Sequence, residues 1–408
     1  MNTHENIGGH LPKDWDRKGL PAWTYHSPAM LELEKQELFR SHWQLAGHVN
    51  DVPRAGDFFT VDIADERAII MRGEDGVVRA FHNLCRHRGS RVAAEKSGHC
   101  KNALVCPFHG WVYNLDGTLR GAARPQSFGP LDKTEFGLKP IELEIWMGFV
   151  FIRYLTGAQR SVAEMMSVYA PELTEYQLED ILPTTSFTDM EIAVNWKSVR
   201  DVDNEGYHVA MAHPALQDLY GSTYYDLPYL NGVSRSLGRF NPHAGRCWSV
   251  RNYVAIADRQ PWLSEDKRNL WGYYGLFPNL VIAVTPESVQ FYQEFPLGVD
   301  RTLIRGAVYR RPEESRVQRV ARYLARRIDR ETYKEDIQLS IWSNESMKSS
   351  AFDSFHLSDL ERGVRSHHDH IRAVLPVTTL VQRPPEDRIA ALNDAMWEGE
   401  TEPHTAVA

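Results

Sequence analysis

Phe81-His82-Asn83-Leu84-Cys85-Arg86-His87-Arg88-Gly89, followed further on by Cys106-Pro107-Phe108-His109-Gly110-Trp111, is the stretch that decides how this chain folds. Each half offers one thiolate and one imidazole at metal-ligand spacing, Cys85-x-His87 and Cys106-x-x-His109, with 18 residues between His87 and Cys106. A glycine follows each histidine within two positions, as a tight loop requires. The surrounding sequence reads as short strands. Phe58–Ile63, Arg67–Met71 and Val77–Phe81 are rich in β-formers, and Glu74-Asp75-Gly76 and Asn114-Leu115-Asp116-Gly117 are hairpin turns. Trp146–Arg153 reads as a buried strand closing this region, with a boundary near Gly157. The expected layout is an arm over 1–40 that packs on the later part of the chain, a β domain over 41–157, a second domain over 158–385, and a flexible tail over 386–408.

Two such loops brought face to face present two sulfurs on one side and two nitrogens on the other. A Rieske-type [2Fe–2S] cluster needs that arrangement, a Cys pair on one iron and a His pair on the other. A structural zinc site also accepts Cys2His2, but its usual order is two Cys followed by two His, which this chain lacks. Cys100 and Cys247 have no partner at ligand spacing and read as ordinary thiols. Trp111 and Tyr113 are expected to pack beside the cluster.

Composition limits the rest. The chain has 408 residues, a formal net charge of −8, 42% hydrophobic and 25% charged residues. That excludes disorder as the dominant state and suffices for two or three domains. No apolar run is long enough for a bilayer, and Met1–Lys13 has no apolar segment of the secretory kind, so a cytoplasmic setting without membrane is expected. Four cysteines do not make a disulfide framework, and mild acidity argues against nucleic acid as partner.

A second site is spelled by Asn195-Trp196-Lys197, Asp201-Val202-Asp203-Asn204-Glu205-Gly206-Tyr207-His208 and His213-Pro214. Two histidines and a carboxylate form the facial triad that binds Fe(II) and leaves positions open for O2. A helix is expected over Asp203–Ala212. Imidazoles five apart do not share a face of an ideal helix, so a π-bulge or a helix ending before Pro214 has to bring them together. Asp336 is chosen as the third ligand, with Glu335 its nearest rival for that role; the bland alternative for Glu335 is a solvated charge at a helix start. Glu205 lies one turn before His208 and can support it while bonding outward; Asp201 and Asp203 compete for that role, each also suited to capping. His367-His368-Asp369-His370 is a rival metal cluster on paper, but adjacent side chains diverge. A further helix runs from about Pro312 to Asp329, with Val317, Val320, Leu324 and Ile328 on one face. Its Arg-rich face is a solvated surface or a dock for an acidic electron donor.

Taken together, the paired loops, Asn195-Trp196-Lys197, Glu205-x-x-His208-x4-His213 and Asp336 resemble the α subunit of the Rieske non-haem iron oxygenases. The resemblance runs from Trp43 to Asp336. It implies an α+β chain, an N-terminal all-β Rieske iron–sulfur domain plus a C-terminal helix-grip catalytic domain with a curved antiparallel sheet. It also implies a homotrimer in which the cluster of one subunit, on Cys85, His87, Cys106 and His109, feeds the iron of its neighbour, on His208, His213 and Asp336, through a bridging carboxylate. Glu at position 205, where many ring dioxygenases have Asp, resembles the branch acting on carnitine, glycine betaine and related quaternary amines. Asn344–Asp353 and His356–Glu361 are most similar to stachydrine (proline betaine) demethylases. The activity implied is oxidative N-demethylation with O2; the alternative is hydroxylation of an aromatic ring. No GxGxxG or P-loop pattern occurs, so NAD(P)H is expected on a separate flavin or iron–sulfur reductase.

Seven aromatics, Trp271, Tyr273, Tyr274, Phe277, Phe291, Tyr292 and Phe295, fall within 25 residues. Ring faces stabilise a quaternary ammonium by about 2 kcal/mol when desolvated, and two or three of the seven are expected to face a pocket. Tyr274, Phe277, Tyr292 and Trp248 are the pocket candidates. An apolar aromatic substrate would favour the same walls.

Overall fold

The computed structural model describes residues 15–157, 159–257, 260 and 262–399. The start of the expected arm (1–14) and the end of the expected tail (400–408) lie outside the described residues. The chain forms two compact units, described separately.

One unit comprises residues 39–164 together with 178–183. The return of 178–183 modifies the single boundary expected at Gly157: His48 Nε2 bonds the Leu178 carbonyl at 2.9 Å, and Asn50 Nδ2 donates to the Ile181 carbonyl at 2.8 Å. The unit is a stack of small antiparallel sheets. One has the order Val78–His82, Glu66–Arg72, Asp57–Ile63, Ser97–His99 and contains the expected turn at Glu74-Asp75-Gly76; the turn expected at Asn114–Gly117 joins two strands of a second sheet. Gly76 and Gly117 close those turns at φ 78° and 86°, a left-handed backbone that glycine adopts without strain. A second sheet, Leu104–Val105, Val112–Tyr113 and Leu119–Gly121, carries the loop with Cys106 and His109. The core beneath both loops includes Ile69, Met71, Phe81, Trp111 and Tyr113, all buried.

The other unit comprises residues 15–38, 165–177 and 184–399. Its centre is an antiparallel sheet of β1 (Thr188–Ile192), β2 (Tyr225–Leu230), β3 (Val233–Arg239), β4 (Leu270–Leu276), β5 (Leu280–Val284), β6 (Ser288–Gly298) and β7 (Arg301–Arg310). The order is β1-β7-β6-β5-β4-β3-β2, a meander from β2 to β7 with β1 added at the edge of β7. Besides a short helical turn at Ala170–Leu173, the α-helices are α1 (Pro28–Glu34), α2 (Trp196–Asp203), α3 (Val209–Ala212), α4 (Pro214–Tyr220), α5 (Trp248–Ala257), α6 (Arg316–Ser346), α7 (Arg362–Val374) and α8 (Ile389–Trp397). α6 packs against α2, α4 and α5, and α7 against β2.

Three sequence expectations change here. The helix expected to end near Asp329 continues to Ser346, because Tyr333, Ile337 and Ile341 supply a second apolar stripe that packs on Ile192, Val194 and Ile304. Within it Leu324 and Ile328 are buried, but Val317 and Val320 are exposed, and Ala321 and Ala325 take the inner face. The flexible tail expected from 386 is ordered over Ile389–Trp397: α8 buries Ile389 and Leu392 and packs on α1.

Asn195-Trp196-Lys197 is explained by α2. Asn195 caps the helix through Oδ1, which accepts from Lys197 N at 3.0 Å. Glu34 of α1 accepts from Trp196 Nε1 at 2.7 Å and pairs with Lys197 Nζ, both partners 1% exposed. Lys197→Met strands a buried carboxylate and is expected to cost about 3–5 kcal/mol in urea unfolding. Lys197→Met combined with Glu34→Leu should recover much of that loss, as a buried pair replaced by apolar groups does.

Candidate metal centres and substrate cavity

The two Cys–His loops are near copies of one backbone design. Cys85 N bonds the Ser90 carbonyl at 2.7 Å, and Gly89 N bonds the Cys85 carbonyl at 2.9 Å. Cys106 N and the Trp111 carbonyl, at 2.8 Å, and Gly110 N and the Cys106 carbonyl, at 3.0 Å, repeat that register. Both glycines sit at positive φ, 72° and 67°, where a side chain is strained. Asn83 pins the first loop, donating to the Ala93 carbonyl and accepting from Val92 N and Ala93 N. Cys85 and Cys106 are buried. The imidazoles of His87 and His109 meet edge to face with centroids 4.6 Å apart, and His87 stacks flat on Trp111. Tyr113 reaches the Cys85 sulfur at 3.2 Å.

Among the described residues, no three of these four ligands bring donor atoms within 4.8 Å of one another. A single tetrahedral zinc ion, with ligands at about 2.0–2.3 Å, would draw all four closer than that. Sulfurs on one side and imidazoles on the other instead leave room for a two-iron cluster. The buried His87 Nδ1 has no hydrogen-bond partner, which suits a ligand atom.

In the second unit His208, His213 and Asp336 do converge. The expected continuous helix is broken, and the break solves the five-residue spacing. α2 stops at Asp203. Residues 204–207 run as a loop in which a Cβ on Gly206 would lie 1.9 Å from the Tyr224 ring. His208 caps the N-terminus of α3, and His213 ends α3 and precedes Pro214, which keeps it out of the helical region at φ −120°, ψ 82°. The imidazoles therefore meet across one short turn, Nε2 to Nε2 at 2.9 Å. Asp336, from the middle of α6, places Oδ1 2.8 Å from His213 Nε2 and 3.4 Å from His208 Nε2.

Each histidine is steered from behind by a glutamate. Glu205 takes the Nδ1 side of His208 and also accepts from the backbone N–H groups of Tyr207 and His208. Glu335 bonds His213 Nδ1 at 2.8 Å. With both Nδ1 protons engaged, the two Nε2 lone pairs and a carboxylate oxygen point at one spot, which only a cation or a shared proton satisfies. Burial opposes charge on His208, but the Asp336 and Glu205 carboxylates outweigh it and raise the imidazole to about 10. His213 is likewise raised, against burial, by Asp336 and Glu335. Glu335, the rival for the third ligand or else a solvated charge at a helix start, thus sits mid-helix as an orienting group. Its adjacency to Asp336 was the available signal.

The other candidates separate. Asp203 faces the same cavity, bonded to Arg200 at 2.9 Å and to the Tyr292 hydroxyl at 2.7 Å. Asp201, two residues away, faces elsewhere: it accepts from Tyr25 Oη at 2.6 Å and bonds His368 Nε2 at 2.8 Å. The Asp201, His367 and His368 group has metal-like spacing. However, His368 Nδ1 accepts from Leu20 N, so its proton is on Nε2 and is donated to Asp201. No lone pair remains on that ring, and the group ties residues 20–25 to α2 and α7.

A cavity of about 400 Å³ adjoins the triad, lined by His208, His213, Asp336, Glu205 and Asp203 among others. Its floor is one face of the sheet. Directly opposed residues share a face, and one row across it reads Asp226, Ser236, Tyr273, Ala283, Gln290, Val308. The next row reads Ser234, Gly275, Val281, Tyr292, Gly306, Thr188. Tyr274 belongs to the alternate row with Arg235 and Phe291, so it points away and bonds Glu172. Phe277 packs on His367 and His370, and Trp248 is exposed under the Arg327 guanidinium. Of the four pocket candidates only Tyr292 lines the cavity. Of the seven clustered aromatics, Tyr273, Phe291 and Tyr292 border it, although the Phe291 ring stacks on Tyr309 of the opposite face. Tyr220, Tyr224, Tyr333 and Asp226 were missed; the i, i+2 relation of Trp271 and Tyr273 was the only sequence hint to the lining face.

Six carboxyl groups line the cavity against three arginines, Arg200, Arg326 and Arg330. Besides Asp203, Glu205 and Asp336, it is lined by Asp226, Glu294 and Asp329. Burial lifts Asp226 and Asp329 to about 6 and Glu294 to about 8.

Comparison with known proteins agrees with both centres. Residues 42–134 match the Rieske [2Fe-2S] domain family, and residues 178–376 match the ring hydroxylating alpha subunit (catalytic domain) family. The chain belongs to the Rieske oxygenases. Among relatives of this Rieske oxygenase, the glycine betaine monooxygenase oxygenase subunit of Pseudomonas aeruginosa is 35% identical over 197 residues, 48% of this chain and 45% of the relative. The matched stretch thus spans about half of that relative's length. The carnitine monooxygenase oxygenase subunit of Escherichia coli is 29% identical over 74% of this chain and 79% of its own. The fold is that of a solved quaternary ammonium Rieske monooxygenase, with a TM-score of 0.74 and 24% identity over 90% of this chain and 99% of that one. The Rieske domain calls for a [2Fe–2S] cluster and the catalytic domain for a mononuclear iron. No helix among the described residues is long and apolar enough to cross a membrane.

Proposed function

We propose that this Rieske oxygenase removes an N-methyl group from a quaternary ammonium betaine of the proline betaine kind, using O2 and electrons that a separate reductase draws from NAD(P)H. The observation that carries the reading is the acidic, tyrosine-walled cavity beside the His208, His213 and Asp336 triad. Carboxylates and ring faces both favour a cation, whereas a neutral aromatic substrate gains nothing from buried carboxylates. The relatives named for glycine betaine and carnitine support the same class.

In this reading Cys85, His87, Cys106 and His109 hold the cluster, and His208, His213 and Asp336 hold Fe(II). The cluster supplies one-electron transfer, and the iron supplies O2 activation. Glu205 and Glu335 fix the imidazole orientations. Tyr273, Tyr292 and Tyr220 wall the cation, with the hydroxyls of Tyr220 and Tyr273 bonded at 3.0 Å and Tyr292 fixed by Asp203. A hydroxylated N-methyl group is a carbinolamine, which collapses to formaldehyde and the demethylated amine. Exposed Leu84, Val105 and Phe108 flank the cluster ligands, and exposed Tyr207 and Met211 flank His208. These apolar surfaces support a homotrimer in which the cluster of one subunit serves the iron of the next through Glu205.

Single turnover of the chemically reduced enzyme with O2 tests the activity. Formaldehyde is expected with proline betaine, glycine betaine or carnitine; silence with all three, alongside a hydroxylated aromatic acid, overturns the substrate class. A second test concerns the iron site. Glu335→Gln is expected to weaken Fe(II) binding by about 10–100-fold. In the unaltered protein, binding should weaken as pH falls, about tenfold per unit for each proton displaced, because the raised histidines hold protons that iron must remove. Titration of iron-depleted protein with Fe(II) at several pH values reads both.

A further inference from the structure

A betaine carries a carboxylate as well as a cation, and that carboxylate needs a partner in a cavity whose triad end is lined by Asp203, Glu205 and Asp336. Three cations line the cavity: Arg200, Arg326 and Arg330. Arg200 is buried and already committed, to Asp203 at 2.9 Å and to Asn204 at 2.6 Å, with Glu294 at 3.7 Å. Arg326 and Arg330 are different. They lie four residues apart on α6, on the stripe that continues through Tyr333 to Asp336, and all four residues line the cavity. Neighbouring arginines of the same helix have carboxylate partners: Arg319 and Arg322 pair with Glu314, and Arg327 with Glu331. Among the described residues neither Arg326 nor Arg330 makes a hydrogen bond or close ion pair, and the one charge interaction of Arg326 is a longer-range attraction to Asp329. Asp329, between them, is engaged by Gln290 Nε2 at 3.0 Å.

We propose that Arg326 and Arg330 form the subsite for the substrate's carboxylate, so that the cavity selects a zwitterion over a simple quaternary cation. The inference rests on the betaine reading and names the residues that set its selectivity. Position along α6 supports it. Arg330 and Arg326 start about 9 Å and about 15 Å from Asp336 at 1.5 Å rise per residue. Side chains that extend along the cavity bring the guanidinium groups to where the far end of a short betaine lies when its N-methyl end faces the triad. The exposed Arg330 meets the carboxylate at entry, and the half-buried Arg326 lies beside the acidic interior. The acidic wall at one end and the arginines at the other orient the substrate head to tail, and guanidinium groups suit carboxylate bidentately.

The test is anaerobic calorimetric binding to the holoenzyme of proline betaine against N,N-dimethylpyrrolidinium, the same ring cation without the carboxylate. The unaltered enzyme is expected to prefer proline betaine. Arg326→Gln and Arg330→Gln should each weaken proline betaine by about ten- to a hundredfold while leaving dimethylpyrrolidinium unchanged. Arg330→Lys should retain part of the preference, and Arg330→Glu should reverse it. Variants that keep the full preference, or that weaken both ligands equally, overturn the subsite and leave the betaine reading standing. An unaltered enzyme that binds both ligands alike also overturns the subsite. If it binds neither, the substrate class itself has failed.

Discussion

His213→Ala is expected to yield a folded protein that keeps its iron–sulfur cluster, loses the mononuclear iron and releases no formaldehyde. His213 is buried, and its Nε2 is the atom to which both His208 Nε2 and Asp336 Oδ1 come closest, at 2.9 and 2.8 Å. Removing it leaves one imidazole and one carboxylate, too few ligands for a facial triad. It also leaves Glu335 without its partner, though Glu335 is partly solvated and tolerates the loss. The cluster ligands belong to a different unit and share no hydrogen bond with His213, so the visible absorption of the cluster should be unchanged. Iron analysis together with that spectrum separates the outcomes. Undiminished iron per chain would show that the triad does not hold the metal.

Glu205→Gln is expected to retain both metals and to slow reoxidation of the reduced cluster by substrate and O2 by about a hundredfold or more. The carboxylate accepts from three donors: His208 Nδ1 and the backbone N–H groups of Tyr207 and His208. An amide of the same size has one acceptor oxygen, so its NH2 must face a donor. Such a mismatch in a buried site costs about 1–3 kcal/mol, or roughly tenfold to a hundredfold in the position of His208. The Nδ1 contact also gives the carboxylate its electronic connection to the iron ligand, and a neutral amide weakens it further. Stopped-flow absorbance of the cluster reads the rate, and iron content reads the structural role. Unchanged reoxidation sinks the bridging role; slowed reoxidation accompanied by lost iron would mean that Glu205 only positions His208.

The residues proposed for both centres could be picked out of the sequence because metal coordination constrains residue type and short-range spacing together. Cys85-x-His87 and Cys106-x-x-His109 each close within one loop, and His208 and His213 flank the single short helix α3, so ligand spacing is written locally. Asp336 lies far along the chain, and local spacing alone did not separate it from Glu335. In the structure the two carboxylates share the site, Asp336 reaching Nε2 and Glu335 reaching Nδ1 of His213. The continuous helix expected over Asp203–Ala212 failed because Gly206 must pass the Tyr224 ring and Pro214 fixes the exit, two constraints from different parts of the chain.

What the sequence determined by itself was therefore the pair of metal-binding signatures and the strands that carry them, since ligand spacing and the alternation of apolar residues are local properties. Tertiary structure alone decided which aromatics see the cavity. That depends on register, and one step of register moves a ring to the other face, as it separates Tyr273 from Tyr274. It also decided that α6 runs on past Asp329, because Tyr333, Ile337 and Ile341 find apolar cover only when the sheet edge is there to receive them. The sign of the cavity was a tertiary result as well, since its acids come from α2, β2, β6 and α6 and from the loop after α2. No local pattern announces that side chains so far apart in sequence will enclose one volume.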